Sequence, residues 1–104
     1  MTMQIAAPGI SPWEVDQDSR EGEIARRNVL FGLWAGRRLG LAGDELELYA
    51  WSVHFADRDR PGHDDVIAKV CADLAAHGVP LREQRLRDCL REMQLRASLE
   101  LAQD

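Results

Sequence analysis

The stretch ARRNVLFGLWAGRRLGL, residues 25–41, decides the fold of this chain. Its apolar run from Val29 to Ala35 lies between two arginine pairs, Arg26–Arg27 and Arg37–Arg38. On a helix the apolar side chains of this run cover most of the circumference, which is typical of a helix in the middle of a bundle. Arginine can lay its stem on apolar surface and keep its head in water, so we expect both pairs to solubilise the ends of a central helix. The alternative is that they bind phosphate or an acidic partner surface.

Outward from this block, the hydrophobic periodicity predicts four helices with short connections. We place them at residues 19–39, 44–57, 64–76 and 82–101, with Gly40 and Gly78 after the first and third. Three of them carry inward stripes: Leu46, Tyr49, Ala50 and Val53; Val66, Ile67, Val70, Cys71 and Leu74; and Leu86, Cys89, Leu90, Met93 and Ala97. No segment alternates with period two over the length of a strand. The sequence therefore predicts an all-α fold, a four-helix bundle over residues 19–104, with a flexible N-terminal arm over residues 1–18.

Composition narrows the function classes. The chain has 104 residues and a net charge of −5, which fits one soluble domain and argues against binding to nucleic acid. No apolar run approaches the roughly 20 residues that a membrane span needs, so no membrane insertion is expected. The first residues lack a basic region followed by an apolar core, and Cys71 and Cys89 have no close cysteine neighbour. These features favour a cytoplasmic protein with two reduced, buried thiols.

The polar residues show no pattern of catalysis or metal binding. His54, His63 and His77 have no ligand spacing among themselves or with the cysteines. There is no glycine-rich phosphate loop, and no serine lies in a nucleophile motif. We therefore expect no catalytic residue, cofactor or metal, and no enzyme.

Apolar residues also lie off the inward stripes. Leu48, Trp51 and Phe55 form a second face on the second helix, which either the arm covers or a partner or second copy binds. For Leu95 and Leu99 we expect cover from neighbouring helices. Gly32 and Gly36 lie on one side of the first helix and predict a close helix contact inside the bundle.

Nine short motifs stand in the order and spacing of a known family. They are Ala25-Arg-Arg-Asn, Gly32-Leu-Trp-Ala, Leu39-Gly-Leu, Tyr49-Ala, Ala56-Asp, Pro61-Gly, Asp65-Val, Lys69-Val and Ala72-Asp-Leu. The chain thereby resembles the DUF1476 family of alphaproteobacteria, whose characterised members are the ζ inhibitor subunit of the F1FO-ATP synthase. The motifs cover residues 25–79 well and the last helix loosely.

The resemblance implies a small four-helix protein that binds the F1 head, at its α, β and γ subunits, and blocks ATP hydrolysis. In such proteins an acidic, aromatic segment before the Ala-Arg-Arg-Asn block inserts as a helix beside the rotor. The protein would then lie in the cytoplasm, peripheral to the membrane-bound enzyme. The candidate partner-binding residues here are Trp13, Glu14, Asp16, Asp18, Arg26, Arg27 and Asn28, together with Leu48, Trp51 and Phe55 on the second helix.

The arm departs from this family pattern. Thr2 to Pro12 contains no charged side chain, and Pro8 and Pro12 each disfavour a helix interior by about 3 kcal/mol. We therefore expect inhibition to be weak or lost. The alternative is a non-inhibitory interaction or scaffold module that recruits a partner, or weakly self-associates, through Leu48, Trp51 and Phe55. A third hypothesis is nucleotide binding at the arginine pairs.

Overall fold

A computed structural model describes residues 20–57 and 63–103 of the chain. These residues form four α-helices, which we number in chain order: α1 (Arg20–Arg38), α2 (Gly43–Phe55), α3 (Asp64–Ala76) and α4 (Glu83–Gln103). No strand occurs in these two ranges, and the predicted all-α bundle is confirmed. The predicted arm, residues 1–18, lies outside the described residues.

Helix α1 is the centre of the bundle, as its sequence predicts. It contacts each of the other three helices, most extensively α2 and α4. Phe31 and Ala35 of α1 have no solvent exposure and join the core that α2, α3 and α4 complete. Burying a side chain the size of Phe or Leu stabilises a fold by about 1.5–3 kcal/mol, so this cluster holds the bundle together. The other buried residues of this cluster are Val53, Val66, Ile67, Val70, Leu74, Leu86, Cys89, Leu90 and Met93.

Two glycines end helices and turn the chain. Gly40 follows α1 with φ of +85°, and Gly78 follows α3 with φ of +76°. The amide of Leu41 donates to the carbonyl of Gly36 at 3.0 Å, and that of Val79 donates to the carbonyl of Leu74 at 3.0 Å. These are Schellman motifs, in which a left-handed residue lets the chain satisfy the last helical carbonyls. Both predicted helix stops are confirmed.

Helices α1 and α2 approach closely at Gly32. A Cβ atom added to Gly32 would lie 2.6 Å from the Cα of Ala50, and one added to Gly36 would lie 2.5 Å from Cδ1 of Leu46. Only a residue without a side chain fits opposite the α2 backbone at position 32. The predicted close contact inside the bundle is confirmed.

The far side of α4 differs from the prediction. Its inward stripe, Leu86 to Ala97, is buried as predicted, but Leu95 and Leu99 are each 62% exposed. The expectation that neighbouring helices cover these two leucines is wrong, because α4 packs on α1 and α3 with one face only. Both cysteines were predicted to be buried free thiols; this is confirmed for Cys89 and wrong for Cys71, which is free but partly exposed.

Candidate partner-binding site

The candidate site residues fall into three groups. Trp13, Glu14, Asp16 and Asp18 lie outside the described residues. Arg26, Arg27 and Asn28 lie in the N-terminal half of α1, at the end that the arm joins, and are 6%, 7% and 0% exposed. Leu48, Trp51 and Phe55 lie on α2 and form a separate surface.

Asn28 is the centre of a buried polar network. Its Oδ1 accepts two hydrogen bonds from Arg27, from Nε at 2.9 Å and from Nη2 at 2.7 Å. The amide is thereby oriented, and its Nδ2 points to the end of α2. There Nδ2 donates to Oδ2 of Asp57 at 2.9 Å and lies 3.3 Å from Nδ1 of His54. Since Nδ2 is a donor only, Nδ1 of His54 must be the unprotonated acceptor, and the ring proton lies on Nε2.

Arg27 extends the network across the bundle. Its Nη2 forms a 3.3 Å ion pair with Asp57, and its Nη1 donates to Gln94 of α4 at 3.4 Å. Gln94 in turn donates through Nε2 to Oε2 of Glu23, one turn before Arg27 on α1. One arginine therefore links the N-terminal half of α1 to the end of α2 and to the middle of α4.

Arg26 fastens the same part of α1 to the end of α4. Its Nη1 lies 3.4 Å from Oε1 of Glu100. Glu100 also faces Arg96, one helical turn earlier, at 3.9 Å. The last turns of α4 are thus held against the end of α1 from which the arm departs.

Burial shifts the titration of two groups in the network. Removal from water lowers the pKa of Arg27, and the charges of Asp57 and Glu23 partly oppose this. Burial also lowers the pKa of His54, which Asp57 raises and Arg27 lowers further. Removing one member of a buried, paired set typically costs about 3–5 kcal/mol, because the other member stays buried without its partner. The network therefore fixes the arm end of α1 rather than offering free charges.

The two arginine pairs have different environments. Arg37 and Arg38 are exposed, as predicted for heads kept in water. The same expectation is wrong for Arg26 and Arg27, because carboxylates and amides from distant parts of the chain converge on them. Arg38 lies over the ring of Trp34, with its Cζ 4.8 Å from the ring centroid. The contact of Arg26, Arg27 and Asn28 with a partner protein stays a prediction.

The second candidate surface faces outward from α2. We call Leu48, Trp51 and Phe55 the α2 face. Leu48 is 50% exposed and Phe55 is 46% exposed, while Trp51 is partly buried. The rings of Trp51 and Phe55 stack with centroids 5.4 Å apart, and Trp51 also meets His54 edge-on at 6.3 Å. No described residue covers Leu48 or Phe55 fully.

A groove that the sequence did not predict lies beside the network. It has a volume of about 320 Å³, and its lining comes from α1, α4 and the residue before α3: Arg27, His63, Arg87, Leu90, Arg91 and Gln94. Arg87 and Arg91 lie one turn apart on α4. This spacing in the sequence is the feature from which their place on one side of the groove could have been predicted. Both are already paired, Arg87 with Glu83 and Asp64 and Arg91 with Asp88.

The part of the chain that the structure describes offers neither a metal-binding cluster nor a membrane-spanning helix. Within residues 20–57 and 63–103, no group of three His, Cys, Asp or Glu side chains is placed to hold a metal ion. None of the four helices is long and apolar enough to cross a membrane.

The described residues define a small all-α bundle in which a buried polar network fixes the arm end of α1 and α2 carries a partly exposed apolar face. The family comparison makes this class specific: the model described as ATPase inhibitor subunit zeta matches residues 12–100, and the chain belongs to this family. The match confirms the family inferred from the motifs and extends beyond them at both ends, to include Trp13 and most of α4. The family is one of inhibitor subunits rather than of enzymes. No curated protein and no solved structure matches the chain.

Proposed function

We propose that this protein is a zeta-type regulatory subunit that binds the α, β and γ subunits of the F1 head and opposes ATP hydrolysis only weakly. The observation that carries the proposal is the family match, which spans the bundle and the charged end of the arm. On this proposal the protein lies in the cytoplasm at the periphery of the membrane-bound ATP synthase.

The described geometry supports a mechanical role for the bundle. An arm that inserts beside a rotor can resist rotation only if its base is held. The base here is the start of α1, fastened to α4 through Arg26 and Glu100 and to α2 through Arg27 and Asp57. The proposed contacts of Trp13, Glu14, Asp16 and Asp18 with F1 would then be transmitted to a rigid body.

The arm sequence supports weak inhibition. A segment that folds on binding loses part of its interaction energy to ordering. Pro8 and Pro12 each add about 3 kcal/mol to the cost of a helix interior, and residues 2–12 offer no side-chain charge to offset it. The arm of this chain should therefore be a poor inhibitory helix even where the bundle binds F1.

The test is steady-state ATP hydrolysis by F1 from the same source, with binding to F1 measured in parallel. We expect the full chain to bind F1 and inhibit little, and removal of residues 1–18 to change hydrolysis little. The double variant Pro8→Ala, Pro12→Ala should inhibit more strongly, because its arm forms a helix at lower cost. Inhibition by the unmodified chain as strong as that by a family member with a charged arm would refute the proposal of weak inhibition, and absence of F1 binding would refute the proposed partner.

The exposure of the α2 face favours a second candidate function, that of a non-inhibitory interaction module. In this case the α2 face, rather than the arm, recruits the partner. A pull-down that compares the full chain, Trp51→Lys and the deletion of residues 1–18 separates the two. Loss of the partner with Trp51→Lys and retention with the deletion would indicate the second function.

A further inference from the structure

We propose that the α2 face binds a basic amphipathic helix of a partner protein. This inference rests on the second candidate function and names its partner chemistry. It concerns a surface that the arm mechanism does not use.

The shape of the surface is that of a helix-binding stripe. Asp44, Leu48, Trp51 and Phe55 follow one another at i, i+4, i+7 and i+11, so they lie along one line of α2. At about 1.5 Å per residue this line is roughly 16 Å long, or three turns of a partner helix. Apolar anchors at such spacing are how amphipathic helices are recognised.

The charge of the surface selects the partner. Helix α2 carries three carboxylates, Asp44, Glu45 and Glu47, and no lysine or arginine. All three are exposed. Asp44 continues the apolar line, and Glu47 lies one turn before Trp51. Complementary charge around an apolar contact raises the association rate and excludes partners of the same sign, so an apolar stripe flanked by lysine or arginine fits this surface.

The acidic charge of α2 also disfavours the two occupants that this protein itself can supply, which are its own arm, residues 1–18, and a second copy of the chain. The charged side chains of residues 1–18 are Glu14, Asp16 and Asp18, all acidic. A second copy would present the same three carboxylates of α2. Either the arm or a second copy would bring its carboxylates next to those of α2, and like charges are unfavourable at a contact.

The contacts beneath the α2 face hold it in place before binding. Trp51 packs against Phe55 and against the edge of His54, and His54 is in turn held by Asn28 of the buried network. Aromatic side chains that are already ordered lose little conformational entropy when a partner binds. The face is therefore suited to hold a helix without rearranging.

The experiment uses two synthetic helical peptides of equal length with the same leucine stripe. One carries lysine and arginine on the flanks and the other carries glutamate. Binding to the full-length protein is measured by fluorescence anisotropy of the labelled peptide at low and at moderate salt. We expect the basic peptide to bind at least about tenfold more tightly than the acidic one, with the difference shrinking as salt is added.

Three variants locate the site. Trp51→Lys should weaken binding of the basic peptide by at least about tenfold, since it removes the central anchor and adds a repelling charge. The double variant Asp44→Asn, Glu47→Gln should weaken binding several-fold and flatten its salt dependence. Leu95→Lys, which changes a leucine on α4 that is 62% exposed, should leave binding unchanged.

Other outcomes would overturn the proposal. Equal affinity for the two peptides would show that charge does not select the partner. Concentration-dependent dimerisation that Trp51→Lys abolishes would assign the face to a second copy. A shift of the Trp51 indole NMR signal on deletion of residues 1–18 would assign it to the arm. The peptide-binding experiment does not measure ATP hydrolysis by F1. If the peptides do not bind as expected, the proposed arm mechanism is unaffected. If the hydrolysis assay refutes the arm mechanism, the peptide-binding result is unaffected.

Discussion

At the scale of single residues, Asn28 determines how the arm end of α1 is built. It has no solvent exposure, and its amide satisfies Arg27 on one side and Asp57 and His54 on the other. A smaller or apolar side chain would leave these buried groups without a shared partner. A buried polar group that loses its hydrogen bonds costs about 1–3 kcal/mol, and more if it is charged.

Asn28→Ala should therefore lower the free energy of unfolding by about 2–4 kcal/mol. Urea unfolding followed by circular dichroism measures the change. The matched control is Gln84→Ala, which removes an exposed amide bonded to Asp88 and should alter stability by no more than about 0.5 kcal/mol. Equal effects of the two substitutions would contradict the structural role given to Asn28.

His54 predicts a pH dependence of stability. Burial lowers its pKa in the folded protein below the ordinary value near 6.5. Above that value the ring is neutral in both states, so the contribution to stability is complete. As pH falls below it, the unfolded chain binds the proton first, and the free energy of unfolding falls until the folded pKa is reached, with a slope of at most about 1.4 kcal/mol per pH unit.

The variant His54→Asn tests this prediction, because asparagine offers an acceptor near the position of Nδ1 and does not titrate. Its stability should fall less than that of the unmodified chain between pH 7.5 and pH 5.5. Leu95→Ala, which changes an exposed side chain on α4 and no titratable group, should keep the original pH dependence. If both variants behave like the unmodified chain, His54 is not the titrating group.

At the scale of elements, the contact of α1 with α2 limits the size of the side chains that α1 can carry at positions 32 and 36. The Cβ of an alanine at position 32 would meet the backbone of Ala50, whereas one at position 36 would meet the far end of the Leu46 side chain. A side-chain end can rotate away, but a helix backbone moves only with its whole helix.

Gly32→Ala should therefore destabilise the protein by about 1–3 kcal/mol, although alanine favours a helix over glycine by up to about 1 kcal/mol. Gly36→Ala should cost clearly less. Thermal or urea unfolding of the two variants measures the contrast. A larger loss for Gly36→Ala would mean that the helices separate more easily at Ala50 than at Leu46.

Prediction from sequence succeeded where the signal is local. The bounds of α3 and the stops at Gly40 and Gly78 follow from periodicity and turn chemistry within a few residues of chain. The burial of Arg26 and Arg27 was not predictable in this way, since their partners Glu100 and Asp57 lie 74 and 30 residues away. The prediction that neighbouring helices cover Leu95 and Leu99 failed for a related reason. Periodicity identifies an apolar face of a helix but does not say how many other helices pack against that helix.

At the scale of the whole molecule, the described helices form one core to which the arm is attached. The contacts reported above join residues within 20–57 and 63–103. The predicted division into an arm over residues 1–18 and a domain over residues 19–104 can therefore be tested by truncation.

Deletion of residues 1–18 should leave the thermal midpoint and the amide NMR spectrum of the bundle nearly unchanged. The matched control is deletion of residues 97–104 at the opposite end of the chain. It removes the buried Ala97 and the partner of Arg26, and should lower stability by several kcal/mol. A large loss of stability on removal of residues 1–18 would show that the arm is part of the fold.

The bridge between Arg26 and Glu100 also bears on how the protein is made. Helix α1 is synthesised before α4, yet the carboxylate that pairs with Arg26 belongs to the last turns of α4, and Gln94 in the middle of α4 contributes to the contacts of Arg27. During synthesis α1 and α2 can pair across their short turn and bring Arg27 to Asp57, while Arg26 remains in water until Glu100 of α4 is made. The final folding step therefore follows the synthesis of α4, and a nascent chain stalled before α4 would expose an unfinished core.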